Sequence, residues 1–262
     1  MATKIGDIIK KQGDLGKRIN TETSMKFKCK SCGKPLTREE KGLICSKCIA
    51  PILKKEKEER LKYIKLNIED LLASRGVPKR YLDCTLDNFQ PVGEGRKRAL
   101  GIVKEYIYKM VSTSEGLFLT GSNGAGKTHL AVAIMRELVL GDHLNCHFIK
   151  VPELLLNIRE YIGKGWSEKE EIKEYKEYDY LFLDDLGVEK VSEWALQDLY
   201  LILDGRSGAL KPTIITSNLG LEEIEEHIGS RFVSRIVEMC KSVVMEFEDW
   251  RKLSRRKKVN GG

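Results

Sequence analysis

The first clear hydrophobic periodicity of the chain covers residues 53–73, where apolar residues recur at three- and four-residue steps among charged ones. This spacing predicts an amphipathic helix. The glycine and proline of RGVP, residues 75–78, predict its end. Packing against a core is the favoured use of its narrow apolar face, with a partner protein as the alternative. The apolar positions are Leu61, Ile64, Ile68, Leu71 and Leu72.

Three short apolar runs predict buried strands at residues 117–120, 180–183 and 212–216. The first leads directly into GSNGAGKT and then into HLAVAIMREL, whose pattern predicts a helix. A G-x4-G-K-T loop between a strand and a helix predicts phosphate binding, because glycines let backbone N–H groups turn toward the phosphates. The predicted nucleotide-binding residues are Gly121, Ser122, Asn123, Gly124, Ala125, Gly126, Lys127, Thr128 and His129.

The chemistry of ATP hydrolysis assigns a role to several polar residues at these strand ends. Lys127 is expected to reach the β- and γ-phosphates, and Thr128 to ligate Mg²⁺. Asp184 is expected to hold the same ion, while Asp185 orients or deprotonates the attacking water. Asn218 follows the third strand and can bind the γ-phosphate or that water.

Two arginines near the C-terminus, Arg231 and Arg235, lie four residues apart in GSRFVSRIVEMC. That spacing places both on one face of a helix, where they can present two guanidinium groups to a phosphate. In a ring or spiral of subunits they would reach the ATP of a neighbour. The alternative is a surface pair bound to acids such as Glu238.

Composition sets the broad class of protein. A chain of 262 residues favours two unequal domains, and no apolar run approaches the roughly 20 residues that cross a membrane. A cytoplasmic protein without membrane contact is therefore expected. Residues 1–50 hold 12 basic and 5 acidic residues, which accounts for the whole net charge of +7. Residues 251–258, RKLSRRKK, form a second basic segment, either a solvated tail or a phosphate contact.

Four of the seven cysteines are grouped as C-x2-C, twelve residues, C-x2-C. Four thiolates at this spacing enclose one zinc ion tetrahedrally and leave no position for a catalytic water, so the predicted site is structural. The segment has too few apolar residues to fold on core burial alone. The predicted ligands are Cys29, Cys32, Cys45 and Cys48, whereas Cys84, Cys146 and Cys240 are interpreted as buried small residues.

The motifs GSNGAGKT, YLFLDDLG, IITSNL and GSRFVSRIVEMC, in this order, resemble those of the DnaC and IstB group of AAA+ ATPases. The resemblance spans roughly residues 81–262 and includes LDCTLDNF, residues 82–89, which in this group packs near the adenine. It implies an α/β fold with a parallel sheet flanked by helices, ATP sites shared between subunits, and Arg231 or Arg235 as the arginine finger. Arg251 is a candidate second sensor.

The resemblance also implies an organisation and a set of partners. The expected parts are a zinc-binding module at residues 1–50, a helical linker at 51–80 and the ATPase domain at 81–262. A zinc module before the ATPase resembles DnaI-like and phage helicase loaders, in which the front domain binds the hexameric DnaB-type replicative helicase. Such loaders also hold single-stranded DNA. The candidate DNA contacts are Arg159, Tyr161, Ser192 and Trp194.

Three functions remain open on the sequence. The favoured one is an ATP-dependent loader of a DnaB-type helicase, with slow hydrolysis. The second is an IstB-like ATPase that assists a transposase. The third is a zinc-ribbon DNA-binding regulator whose ATPase domain serves only as a platform.

Overall fold

The computed structural model describes residues 28–34, 44–163, 168–187 and 193–247, and the chain divides into two compact units, Met1–Tyr63 and Ile64–Gly262. Helix α1 covers Ser46–Leu66 and α2 covers Ile68–Ala73. The predicted helix over 53–73 is therefore two helices with a break at Asn67, and it begins earlier than predicted. Residues 1–27 lie outside the described residues.

The RGVP segment ends α2 for a steric reason. Gly76 has a φ of +88°, and a Cβ at this position would collide with the backbone carbonyl of Phe148. Only glycine tolerates both conditions. The close approach lets the N–H of Phe148 donate to the carbonyl oxygen of Arg75 at 2.8 Å. As a result, this segment covers part of an edge strand of the sheet.

A five-stranded parallel sheet with alternating helices makes up the second unit. The strands lie in the order β2-β3-β4-β1-β5, and every pairing is parallel. The α/β prediction is therefore confirmed. After a 3₁₀ turn at Lys79–Tyr81, the elements are α3 (Glu94–Lys109), β1 (Gly116–Thr120), α4 (Lys127–Leu140), β2 (Cys146–Lys150), α5 (Val151–Gly163), α6 (Glu168–Glu177), β3 (Tyr180–Leu186), α7 (Glu193–Gly208), β4 (Thr213–Ser217), α8 (Leu221–Ile228), α9 (Ser230–Met239) and β5 (Cys240–Val244).

Both faces of the sheet are covered, which explains why its central strands read as continuous apolar runs. Along β1, Leu117 and Leu119 enter one core with α3 and α4, while Phe118 enters the other with α5 to α9. The isolated cysteines Cys84, Cys146 and Cys240 are buried, as predicted. Within the described ranges, no helix combines the length and the apolar character that crossing a membrane requires.

A β-bulge interrupts the pairing of β3 with β4. Leu183 pairs with Ile215 and Leu186 with Ser217, so two residues of β3, Asp184 and Asp185, face the single residue Thr216. Asp185 accordingly adopts a φ of +60°. Bulges of this kind often lie beside functional sites, because they redirect side chains. Here the bulge sets the direction of both acidic residues at the carboxyl end of the sheet.

Candidate nucleotide-binding and metal sites

The phosphate loop between β1 and α4 borders a cavity of about 670 Å³, a size typical of small-molecule sites. Three loop glycines have positive φ angles, +134° at Gly121, +73° at Gly124 and +101° at Gly126. The cavity is also lined by Cys84 and Phe89 from the segment before α3. The loop backbone therefore has a conformation that glycine permits.

Lys127 begins α4 and brings together two of the predicted motifs. Its buried Nζ donates to the carbonyl oxygens of Gly121 at 2.7 Å and Ser122 at 2.9 Å, and to Oδ1 of Asn218 at 2.8 Å. Asn218 follows β4, far from the loop in sequence. The structure thus places the predicted γ-phosphate contact beside the predicted phosphate-binding lysine.

Asp184 is 1% exposed and lies against Thr128. Its Oδ1 accepts hydrogen bonds from Thr128 Oγ1 at 2.8 Å and from Thr216 Oγ1 at 2.7 Å. Its Oδ2 is buried and has no hydrogen-bond partner among the described residues. Burial, and secondarily the charge of Asp185, raise the pKa of the Asp184 carboxyl. The carboxylate is therefore costly to keep charged without a cation.

These oxygen atoms fit a magnesium ion. Mg²⁺ binds oxygen at about 2.0–2.1 Å in octahedral geometry, which puts neighbouring ligands about 2.9 Å apart. The observed distance of 2.8 Å between Thr128 Oγ1 and Asp184 Oδ1 is close to that value. The unpaired Oδ2 adds a further acceptor at the same place.

Asp185 forms an ion pair with Lys150, at the end of β2, with 3.1 Å between Lys150 Nζ and Asp185 Oδ2. Its backbone N–H donates to Thr216 Oγ1 at 3.0 Å. Asp185 lines the cavity, as do Lys127, Thr128 and Asn218. Neither Lys150 nor Thr216 was predicted from the sequence. Their only sequence signal is a polar residue at the end of a short apolar run.

The LDCTLDNF segment packs on the helix that follows the loop. His129 Nε2 lies 2.8 Å from the carbonyl oxygen of Thr85, and Arg136 donates to the carbonyl oxygens of Leu82 and Cys84. Burial lowers the pKa of the His129 imidazole. The segment therefore forms one wall of the cavity.

The two predicted arginines differ in their surroundings, although both lie on α9. Arg235 Nε lies 2.9 Å from Asp204 Oδ1, and its NH1 donates to Glu238. These carboxylates, Glu238 first, raise the pKa of the Arg235 guanidinium. Arg231 is exposed. Neither arginine lines the cavity of its own chain.

The four grouped cysteines lie in the first unit, with their sulfur atoms all within 4.8 Å of one another. Cys32 Sγ and Cys45 Sγ are 3.7 Å apart. Four thiolates at about 2.3 Å from one zinc ion are about 3.8 Å apart, and a disulfide is far shorter. A backbone hydrogen bond from Cys45 N–H lowers the pKa of the Cys29 thiol to about 6. The cluster could hold zinc. The segment between the two cysteine pairs is mostly outside the described residues.

The remaining predicted residues are only partly described. Arg159 is an exposed residue of α5. Tyr161 and Trp194 belong to α5 and α7, but their side chains lie outside the described part of the chain. Ser192, Arg251 and the basic segment 251–258 also lie outside it.

Comparisons with known proteins agree with this geometry. Residues 102–258 match the family described as IstB-like ATP binding protein. The replicative helicase loader DnaC of Escherichia coli (strain K12) is 26% identical over 162 residues, 62% of this chain and 66% of that protein, so the chain spans just under two thirds of its length. DnaC of Buchnera aphidicola subsp. Baizongia pistaciae (strain Bp) is 27% identical over 225 residues, 85% of each chain.

Solved structures show the same likeness. A crystal structure of the DnaC helicase loader aligns with a TM-score of 0.59 at 29% identity and covers 64% of this chain and all of that one. A crystal structure of DnaI aligns at 0.58 with 25% identity, covering 65% and 95%. The replication initiator DnaA bound to AMPPCP and single-stranded DNA aligns at 0.58 with 26% identity, covering 70% and 56%.

The parallel sheet, with its phosphate loop after β1 and its acidic residues at the end of β3, is an AAA+ P-loop fold like that of DnaC. The chain belongs to the family of IstB-like ATP binding proteins. The resemblance to the DnaC and IstB group is therefore confirmed.

Proposed function

We propose that this protein is an ATP-dependent loader of a DnaB-type replicative helicase. The observation that carries the nucleotide part is the contact between Thr128 and Asp184 beside Lys127. Thr128 and Lys127 line one cavity, and the carboxylate that Thr128 contacts is buried and has an oxygen without a described partner. The loader part is supported by relatives that are named replicative helicase loader DnaC.

The chain's own residues divide the work of binding ATP. The loop N–H groups and the N-terminus of α4 hold the phosphates, and Lys127 Nζ neutralises their charge. Thr128 Oγ1 and Asp184 would hold Mg²⁺, and the bound ion would supply positive charge that offsets the charge of the phosphates. Asn218 fixes the position of Lys127 Nζ through its Oδ1 and can report the presence of a γ-phosphate.

Hydrolysis needs a base and a cation from a neighbouring subunit. Asp185 is the proposed base, and its ion pair with Lys150 fixes the direction of the carboxylate. Arg231 is the proposed finger, because Arg235 is already held by Asp204 and Glu238. Self-association in a ring or spiral would bring Arg231 to the ATP of the next subunit.

The remaining parts of the proposal concern partners. Residues 1–50, folded around zinc held by the four cysteines, bind the helicase, residues 51–80 link the two parts, and residues 81–262 form the ATPase domain. The ATPase domain holds single-stranded DNA through the candidate contacts Arg159, Tyr161, Ser192 and Trp194. Support for DNA comes from the DnaA structure, which contains single-stranded DNA and has the same fold.

Size-exclusion chromatography of the full chain with its host's replicative helicase tests the loader assignment. We expect a complex with ATP that weakens with ADP. The variant Cys32→Ser should lose both zinc and the complex, whereas Cys146→Ser, a buried cysteine outside the cluster, should keep both. No complex with the helicase, or one that survives loss of zinc, would contradict the assignment.

A second candidate is an ATP-dependent transposition helper. The observation that favours it is the matching family model, which is described as IstB-like. This function requires ATP-dependent binding to double-stranded DNA and to a transposase. Size-exclusion chromatography of the chain with a 50-bp DNA duplex at about 50 nM distinguishes the two candidates. A transposition helper should elute earlier, as a complex with the duplex, when ATP is present and the helicase is absent.

A further inference from the structure

Arg96 is a buried cation in the wall of the nucleotide cavity. It is 3% exposed, lies in the first turn of α3 and lines the cavity together with the phosphate loop. The N-terminus of a helix favours acidic side chains, so the position itself does not stabilise an arginine. A buried permanent charge needs compensating contacts.

Two aromatic rings supply such contacts. The guanidinium carbon of Arg96 lies 5.8 Å from the ring centre of Phe89 and 5.4 Å from that of Phe247. Both distances are within the range of cation–π attraction, which strengthens when the cation is shielded from water. Arg96 therefore joins two rings from segments that are far apart in the sequence.

Each ring is in turn attached to one end of the phosphate loop. A Cβ on Gly126 would lie 2.7 Å from the Cε2 of Phe89, so the ring packs directly on this glycine. At the other end, Ser122 Oγ donates to the carbonyl oxygen of Phe247 at 2.5 Å, and the N–H of Phe247 approaches the same hydroxyl at 3.2 Å. The loop is thus braced at Ser122 and at Gly126.

We propose that Arg96 is a positioning residue for nucleotide binding, because it holds Phe89 and Phe247 against the two ends of the phosphate loop. The loop then has its binding conformation before the nucleotide arrives, and less conformational freedom is lost on binding. The ligand is the phosphate chain of ATP or ADP. This inference rests on the proposed ATP site, and it adds a residue that no phosphate-loop motif contains.

The test compares ATP and ADP affinities of the full chain and its variants at 15 °C, with the melting temperature of each variant measured separately. Arg96→Met removes the cation and keeps most of the aliphatic stem. We expect a loss of affinity on the order of tenfold or more for both nucleotides. Arg96→Lys, which restores a cation, should recover part of the loss. Arg98→Met, an exposed arginine two residues further on the same helix, should bind like wild type.

A double-mutant cycle separates positioning from general stability. Phe247→Leu removes one ring and keeps the backbone contacts with Ser122, and we expect a several-fold loss of affinity. If Arg96 acts through this ring, the double variant should lose clearly less binding free energy than the sum of the losses of the two single variants. Wild-type affinity in Arg96→Met overturns the inference, as does full additivity. If Arg96→Met does not fold, wild-type affinity in Phe247→Leu overturns it instead.

Failure of the inference and failure of the proposed function give different results. A wild-type chain that binds no ATP contradicts the proposed function itself. A wild-type chain that binds ATP, with an Arg96→Met variant that melts earlier but binds equally well, leaves the function intact and makes Arg96 merely structural.

Discussion

Replacing the buried carboxylate of Asp184 should change the stability of the protein in opposite directions without and with ligands. Asp184→Asn should stabilise the protein without ligands and abolish its stabilisation by Mg²⁺ with ATP. The variant removes a charge that is 1% exposed and whose Oδ2 has no described partner. Leaving such a group unpaired costs about 1–3 kcal/mol. The amide nitrogen of asparagine would also lack an acceptor, so we expect the free energy of unfolding to rise by an amount near the lower end of this range.

The pH dependence follows from the same carboxyl group. Its pKa is raised in the folded state, so between its ordinary value of 3.8 and the raised value the folded chain binds more protons than the unfolded chain. The free energy of unfolding therefore falls as pH rises through this range. Asp184→Asn lacks this contribution, and its advantage over wild type should be larger at pH 7 than at pH 4.

Thermal unfolding followed by circular dichroism measures both effects as changes in the melting temperature. Without ligands, a gain of about 1 kcal/mol raises the melting temperature by roughly 2–4 °C. ATP at 100 times its Kd stabilises wild type by about 2.7 kcal/mol, or roughly 5–10 °C, and Mg²⁺ is required. Asp184→Asn should melt at the same temperature with ATP whether Mg²⁺ or EDTA is present.

Asp198→Asn is the matched control, because Asp198 is equally buried, belongs to α7 and does not line the cavity. It should keep the gain from Mg²⁺ with ATP. Retention of the Mg²⁺-dependent gain by Asp184→Asn would contradict this prediction, as would a melting temperature several degrees below that of wild type without ligands.

Three further predictions concern the same domain. Asp185→Asn should bind Mg²⁺ and ATP with unchanged affinity. It should hydrolyse ATP at least about a hundredfold more slowly, because a general base contributes at least that much to the rate. Equal hydrolysis rates would exclude Asp185 as the base. Gly126→Ala should abolish ATP binding in a titration, since its φ is +101° and its Cβ would meet Phe89. Gly101→Ala, a helical glycine with open space around it, should keep ATP binding and gain about 0.4–1 kcal/mol in urea unfolding. Burial lowers the pKa of the His147 imidazole below its ordinary value of 6.5, so on acidification the unfolded chain binds a proton before the folded chain does. The free energy of unfolding therefore falls as the pH falls. His147→Gln should reduce that fall between pH 7 and pH 5.5.

Local pattern was sufficient for the elements that carry the predicted chemistry. The loop before Lys127 is identified by its three spaced glycines, and the strand before it by a short apolar run, since a parallel strand buried on both faces has no polar alternation. The bulge at Asp184 was not predictable in this way. It depends on the register of β3 against β4, which no single segment determines.

Residues that act through distant contacts were also missed. Lys150 on a neighbouring strand contacts Asp185, and Arg96 contacts Phe247, which is far from it in the sequence. Arg206 reads as an ordinary basic residue near the end of a helix, yet it is fully buried and donates to the carbonyl oxygens of Tyr175, Tyr178 and Pro212. Burial lowers the pKa of this guanidinium to about 9. Only the fold shows these contacts and the burial of Arg96 and Arg206.

The central claim is that one nucleotide binds at Lys127 together with Mg²⁺ at Thr128 and Asp184. Isothermal titration of the full chain with ATP, once with Mg²⁺ and once with EDTA, measures this directly. We predict one ATP per chain, bound at least tenfold more weakly in EDTA. Absence of binding up to millimolar ATP, or equal affinities with and without Mg²⁺, would contradict the account.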